Sequence, residues 1–338
     1  MSRRAKLGRF NRVVTGLCLS IGVVVGASFA AVAAEVDGSE DVNTLKTVHQ
    51  GIPHDALYGV CFEGESGFAV GFVGAVLSTS DAGVTWEPQA ALTNNALLDV
   101  SCHGKSAIAV GQAGVIQVKP DGGEWQLVSD TGTDQRLMSV NANSEGLAVA
   151  VGGFGTVMRS RDAGASWETI SIDWEAILND FIEPHIYDVA VFEDNSIMLV
   201  GEFELILLSV DGGDSWETLH KKDASLSGIY FSNRQTGYVA GQNGAVLKTV
   251  DGGVNWQSLE VPTRENLLDV WAAGSDVVIT GIRTLLRSHD AGASWESITE
   301  GDVSVKWYQA VRGASVHNGV SHNVVMVGHS GRIVQINN

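Results

Sequence analysis

The 338-residue chain is short of positive charge: 21 Lys and Arg stand against 39 Asp and Glu, a formal net charge of −18. Five of those bases (Arg3, Arg4, Lys6, Arg9 and Arg12) fall in the first 34 residues, which hold no acid, so the remainder sets 16 bases against 39 acids. A chain that acidic is repelled by phosphate backbones and anionic lipid, which argues against nucleic acid or a membrane surface as a direct partner. Cysteine is equally scarce. Beyond Cys18 there are only Cys61 and Cys102. Two thiols so spaced make no zinc site. In an exported protein they either pair or stay as two buried thiols. Catalytic signatures are missing as well: there is no Gly-x-Ser-x-Gly, no phosphate loop and no dinucleotide fingerprint in context. The nine histidines are scattered without an H-E-x-x-H or paired-ligand spacing, so neither metal nor cofactor is expected.

Residues 1–34 read as a secretory signal peptide, with a basic start, an apolar run from Val13 to about Phe29, and a small-residue cleavage site ending at Ala34. An uncleaved anchor is the alternative reading of that run. No later stretch is long and apolar enough to span a bilayer. Residues 35–44 are polar and read as a flexible mature N-terminus. The expected location is the periplasm.

What the chain has in abundance is a repeat. Ser160–Trp167 follows the pattern [ST]-x-D-x-G-x-[STN]-W, which returns at Thr79–Trp86, Ser209–Trp216, Thr249–Trp256 and Ser288–Trp295. A copy one residue shorter runs from Lys119 to Trp125. In this Asp-box turn the carboxylate (Asp81, Asp121, Asp162, Asp211, Asp251, Asp290) accepts turn N–H groups and the Gly supplies a positive φ. The Trp (Trp86, Trp125, Trp167, Trp216, Trp256, Trp295) opens the next strand and fills apolar space. Successive Trp residues are 39, 42, 49, 40 and 39 positions apart. Each unit carries a Leu-x-x-Val strand, a strand ending in Val-Gly or Ala-Gly, a tight turn, a third strand and the Asp-containing turn. Four short strands per unit of about 40 residues mark a β-propeller. Seven inner-strand motifs can be counted, the last starting at Trp307 and lacking an Asp-containing turn. The expectation is an all-β, seven-bladed propeller over residues 45–338, its last blade completed by residues near 44–52.

Strand alternation assigns faces. Turns between second and third strands share a face with the blade-to-blade connections, and the Asp-containing turns lie opposite. The first face is expected to present Phe72, Gln112, Phe154, Phe203, Gln242, Arg283 and His329, with Arg136, Arg264, Lys306 and Trp307 before inner strands. These are candidate partner-binding residues; the alternative is that they are ordinary turn residues. The 49-residue spacing marks an insertion at 173–183, read either as a loop packed on its own blade or as a partner-facing lip presenting Trp174. Asp99, Asp188 and Asp269 recur on inner strands of alternate blades and are expected to bond a neighbouring backbone N–H, with a cation site as the second reading. Glycoside hydrolysis needs two carboxylates across a cleft. Only Glu202 lies in the turns predicted to surround the axis, and no sialidase-type Arg-Ile-Pro motif occurs, so catalysis is not expected. A carbohydrate-active or glycan-binding propeller remains the alternative.

The combined repeat Val-Gly-x-x-Gly followed by [ST]-x-Asp-Gly-Gly-x-x-Trp, best seen in Gly241–Gly244 and Lys248–Trp256, resembles the photosystem II stability and assembly factors and their relatives in non-photosynthetic bacteria. The resemblance covers most of residues 50–338. It implies an exported, non-catalytic propeller acting as assembly factor or scaffold for a membrane protein complex. Family members in photosynthetic organisms hold a reaction-centre subunit through a basic patch. Here Arg136, Arg264, Arg283 and Lys306 make only a thin one, so a client such as an envelope transporter subunit is an equal expectation.

Overall fold

The computed structural model describes residues 44–316 and 321–337. The expected signal peptide, and residues 35–43 of the expected mature N-terminus, lie outside them. Seven four-stranded antiparallel sheets form the blades of a propeller. The inner strands of blades 1 to 7 are Leu57–Glu63, Leu97–His103, Leu137–Ala142, Ile186–Val191, Leu226–Phe231, Leu267–Ala273 and Tyr308–Val316. Blade 7 takes its outermost strand from the start of the described chain. Leu45–His49 pairs antiparallel with Ile333–Ile336, Leu45 opposite Ile336, and the Asn337 N–H donates to the Thr44 carbonyl at 2.8 Å. The open edge that blade 7 would leave is thereby paired. Among the described residues no helix is long and apolar enough to cross a membrane.

The core lies between blades rather than within them, because both faces of each sheet are covered by neighbours. Strands such as Ala148–Gly152 and Ile197–Gly201 are therefore buried at every position, reading as continuous apolar runs instead of strict alternation. The Trp after each Asp-containing turn packs into the seam with the preceding blade: Trp167 joins Ile108, Val110 and Ile116 of blade 2, and Trp216 joins Val149, Val151 and Val157 of blade 3. The space each Trp fills is thus an inter-blade seam, beyond its own turn.

The turns explain their own sequence. The Asp162 carboxylate accepts from the Ser166 amide (2.8 Å), the Ser166 hydroxyl (2.6 Å) and the Ser160 hydroxyl (2.7 Å). The Gly164 amide returns a bond to the Ser160 hydroxyl oxygen at 2.8 Å. The same arrangement holds around Asp81, Asp211, Asp251 and Asp290. Blade 2 departs from the expectation. With Lys119 in place of the hydroxyl residue, and one residue fewer, no bond to the Asp121 carboxylate forms among the described residues. The Lys119 ammonium instead donates to the Gly123 carbonyl at 2.7 Å. Trp125 is still buried in its seam.

Blades 1 and 2 are also joined covalently. Cys61 and Cys102 form a disulfide between neighbouring inner strands, Cα atoms 5.5 Å apart, so they pair rather than remain two buried thiols. Closing a loop across 41 residues is worth roughly 4 kcal/mol in the chain-entropy account.

Candidate functional site

Every inner strand slips register once, near its start. The bulge residues Tyr58, Leu98, Met138, Tyr187, Ser227, Leu268 and Gln309 line a shallow mouth at the axis. A bulge re-aims the side chain it frees, and here it converts a strand position into an axial one. The next residue is alternately small and acidic: Gly59, Asp99, Ser139, Asp188, Gly228, Asp269, Ala310. Space enforces the alternation at the glycines. A Cβ on Gly59 would sit 2.7 Å from the Asp99 Cα, and one on Gly228 would sit 2.9 Å from the Asp269 Cα.

Each of these aspartates ties its blade to the next. The Val140, Ile229 and Val311 amides donate to Asp99 (3.0 Å), Asp188 (2.8 Å) and Asp269 (2.8 Å). Of the two readings of this trio, backbone bonding is the one realised. Arg312 lies among the carboxylates and donates to Asp269. The Ser139 hydroxyl oxygen lies 2.8 Å from Asp99 and 2.5 Å from Asp188. A hydroxyl has one proton to give, so both contacts are satisfied when Asp99 carries a proton. Burial, reinforced by the charge of Asp188, pushes the Asp99 carboxyl up to about 7; burial raises Asp269 to about 6 against the pull of Arg312. Among the described residues no group of three or more His, Cys, Asp or Glu side chains is placed to hold a metal ion.

This layer divides the axis. On the side of the Asp-containing turns lies a cavity of about 520 Å³, walled by Phe62, Asn141, Phe192, Arg234, Trp271 and Arg312 among others. That turns and hairpins share this side is shown by the Ala82 and Ala163 amides, which donate to the Glu65 and Gly146 carbonyls at 2.8 and 2.9 Å.

The opposite face carries the residues singled out from the sequence. In each turn between second and third strands, the first amide donates to the carbonyl just before the inner strand, as Phe72 does to Ala56 and Gln242 to Ser225, both at 2.9 Å. The second turn residue adopts a positive φ: Val73, Ala113, Phe154, Phe203, Asn243, Arg283 and Ser330. The candidates therefore belong to two rings, which the sequence merged into one. First-position polar groups serve the fold. Gln112 and Gln242 accept from the Ala96 and Ser225 amides at 3.4 and 3.3 Å, and Glu202 accepts from His185 at 2.9 Å. Glu204 shares the Glu202 turn and pairs with His220 at 2.9 Å. His329 is buried against Tyr308, with its Nε2 2.9 Å from an Asp302 carboxylate oxygen. Second-position residues face solvent more often: Phe154 is 62% exposed, held in a left-handed conformation that costs a non-glycine residue on the order of 1 kcal/mol. Val73 and Ile282, also exposed, were not found from sequence; aligning the turns on their flanking glycines would have found them.

Trp174 is a correction. It is only 7% exposed, opens the helix Trp174–Leu178, and donates through Nε1 to the Gly155 carbonyl at 3.3 Å. Its ring joins the seam of blades 3 and 4, so it anchors the insertion and offers no surface. Trp307 is half-buried and stacks on Tyr58, centroids 6.0 Å apart. Charge divides the same face. Arg264, Arg283 and Lys306 stand exposed on the side of blades 5 to 7, with Arg283 paired to Glu265 at 2.9 Å. Arg136 stands near Asp130 and Asp134 in sequence, on the acidic side that continues through 173–183.

The family model of the photosynthesis system II assembly factor YCF48 matches residues 39–173, 168–264 and 220–306. No curated protein matches in sequence. Among solved structures, YCF48 from Cyanidioschyzon merolae is 20% identical with a TM-score of 0.67, covering 87% of this chain and 98% of its own. A structure of YCF48 bound to D1 peptide is 18% identical with a TM-score of 0.68, covering 88% and 98%. A streptogramin B lyase is 13% identical with a TM-score of 0.71, covering 87% and 97%; at that identity it shares the fold alone.

Proposed function

This chain belongs to the YCF48 photosystem II assembly factor family, and from that premise we propose that it is an exported, non-catalytic scaffold that holds a segment of a membrane protein during assembly of its complex. The observation that carries the proposal is the family match across residues 39–306. A solved member of that family is bound to a D1 peptide, which supports a peptide segment as the thing held. The client here is a membrane protein of the envelope, whether photosynthetic or a transporter subunit. The disulfide between Cys61 and Cys102 fits an oxidising compartment, consistent with cleavage after Ala34 and residence in the periplasm.

The surface for this work is the face of the second-to-third-strand turns. Its exposed aromatic and apolar groups sit on rigid turns fixed by backbone hydrogen bonds, which lowers the ordering cost of binding. Among the carboxylates near the axis, Glu202 holds the His185 amide and the axial aspartates hold neighbouring strands, which supports a structural role for them.

The test is affinity capture. The purified mature protein, immobilised and exposed to detergent-solubilised envelope, should retain a membrane protein identifiable by mass spectrometry, and a tagged chain should leave cells on osmotic shock. Recovery of no membrane protein, or release of reducing sugar from a glycan panel, would remove the proposal.

A further inference from the structure

We propose that the lip where blades 3 and 4 meet is the docking point for the client, and that it takes a segment that is both basic and apolar. This rests on the scaffold reading above and adds the place and the chemistry.

Three exposed apolar side chains gather there. Phe181 is 88% exposed, Phe154 62% and Ile182 42%. The segment after Phe181 runs beside the Phe154 turn: the Gly155 amide donates to the Pro184 carbonyl at 2.8 Å, and the Phe154 amide donates to His185 Nδ1 at 3.0 Å. The Phe154 and His185 rings meet edge to face, 5.0 Å between centroids. Large apolar groups left in water beside one another mark an interaction surface more often than scattered single ones do.

The lip is held in shape. Asp173 caps the short helix by accepting from the Ala176 amide at 3.0 Å. Lys221 donates to the Leu178 carbonyl at 3.1 Å, and buried Trp174 pins the helix to blade 3. Phe181 is thus presented by an anchored loop.

Charge selects the occupant. Residues 173–183 carry Asp173, Glu175, Asp180 and Glu183, all exposed, and no base. An acidic or neutral apolar segment would gain only the apolar contact, whereas Lys or Arg flanking the apolar anchors would meet these carboxylates. Lys221, on the Leu178 carbonyl, and Arg136, whose carbonyl accepts from the Gly153 amide, border the lip, so its four carboxylates face two bases and stay in excess, while the exposed Arg264 and Lys306 across the same face favour a register toward blades 3 and 4. A second copy of this chain is a poor occupant, since two lips would bring like charges together.

The test is selection of random dodecapeptides displayed on phage against the purified protein, followed by fluorescence anisotropy of one selected peptide. The proposal expects enriched peptides to combine aromatic or aliphatic residues with Lys or Arg. It expects affinity to fall about tenfold in Phe181→Ser and in the double variant Asp180→Lys/Glu183→Lys, and to weaken with added salt. Asp121→Ala, on the far face, should bind as the parent does, and unchanged melting temperatures would show that the lip variants fold. Peptides that bind but ignore the lip variants would overturn the lip and leave the scaffold reading standing. Recovery of no binding peptide would overturn both. A concentration-dependent dimer in sedimentation that Phe181→Ser abolishes would assign the lip to self-association and overturn the proposal.

Discussion

Aspartate recurs in two places in this repeat, and the two sets behave in opposite ways. Around the rim, Asp162 and its equivalents sit in water. Hydrogen bonds from the Ser166 hydroxyl and amide hold Asp162 below the usual carboxylate range, and those from Ser294 hold Asp290 at about 2. Around the axis, burial drives Asp99 to about 7 and Asp269 to about 6. The rim carboxylate closes a turn of its own strand pair; the axial one reaches into the next blade. One residue type is therefore a local fastener in one place and a tie between blades in the other, and location alone decides which protonation state the fold favours.

Removing an axial partner should cost most. Asp269→Ala leaves the Val311 amide and the Arg312 guanidinium without their shared acceptor, and the expected loss is about 3–5 kcal/mol of unfolding free energy in urea titration. A loss under 1 kcal/mol would mean that Arg312 is adequately held by the other carboxylates. Acidity separates the two sets directly. Axial carboxyls with raised values bind protons on folding, so stability should fall as pH rises from about 4 to about 7, by up to about 1.4 kcal/mol per pH unit for one proton. Rim carboxyls with lowered values act oppositely, stability rising as pH climbs from about 2 to about 4. Asp99→Asn should flatten the upper slope and leave the lower one; an unaltered upper slope would assign it to other groups. Next, Cys61→Ala should lower stability by about 2–4 kcal/mol relative to the oxidised parent, and dithiothreitol should reproduce the loss in the parent alone. Asp162→Ala should cost about 1–2 kcal/mol, and Asp121→Ala less than about 0.5 kcal/mol because that carboxylate closes no turn. Equal effects at 121 and 162 would show that the hydrogen bonds are not what the turn contributes.

The rim was legible in the sequence because everything it needs lies within eight consecutive residues. Blade number, strand order and the closing strand followed from that same periodicity. The axial trio was legible as a coincidence of position, and its backbone bonding was foreseen, but not the participation of Arg312 or Ser139, which lie 43 and 40 residues away on other blades. The face of the second-to-third-strand turns lies opposite the Asp-containing turns, as strand alternation predicts, but its candidate residues divide between two turn positions that the sequence does not separate. Two adjacent turn positions differ in φ, and composition does not announce which one is left-handed. An insertion suggests an exposed Trp174; the contact with Gly155 that buries it depends on a glycine nineteen positions earlier.

The small-then-acidic order around the axis has an arithmetic consequence. Two colours can alternate without error only around a ring of even membership, and this ring has seven. The mismatch falls between Ala310 of blade 7 and Gly59 of blade 1, two small residues side by side, at the junction where the last blade borrows its outer strand from Leu45–His49. Parity thus leaves the one junction without an axial carboxylate at the place where the chain must come full circle. A ring lengthened by one further acidic blade at that point would alternate throughout, and one lengthened or shortened by a single blade anywhere else would bring two carboxylates or two small residues together.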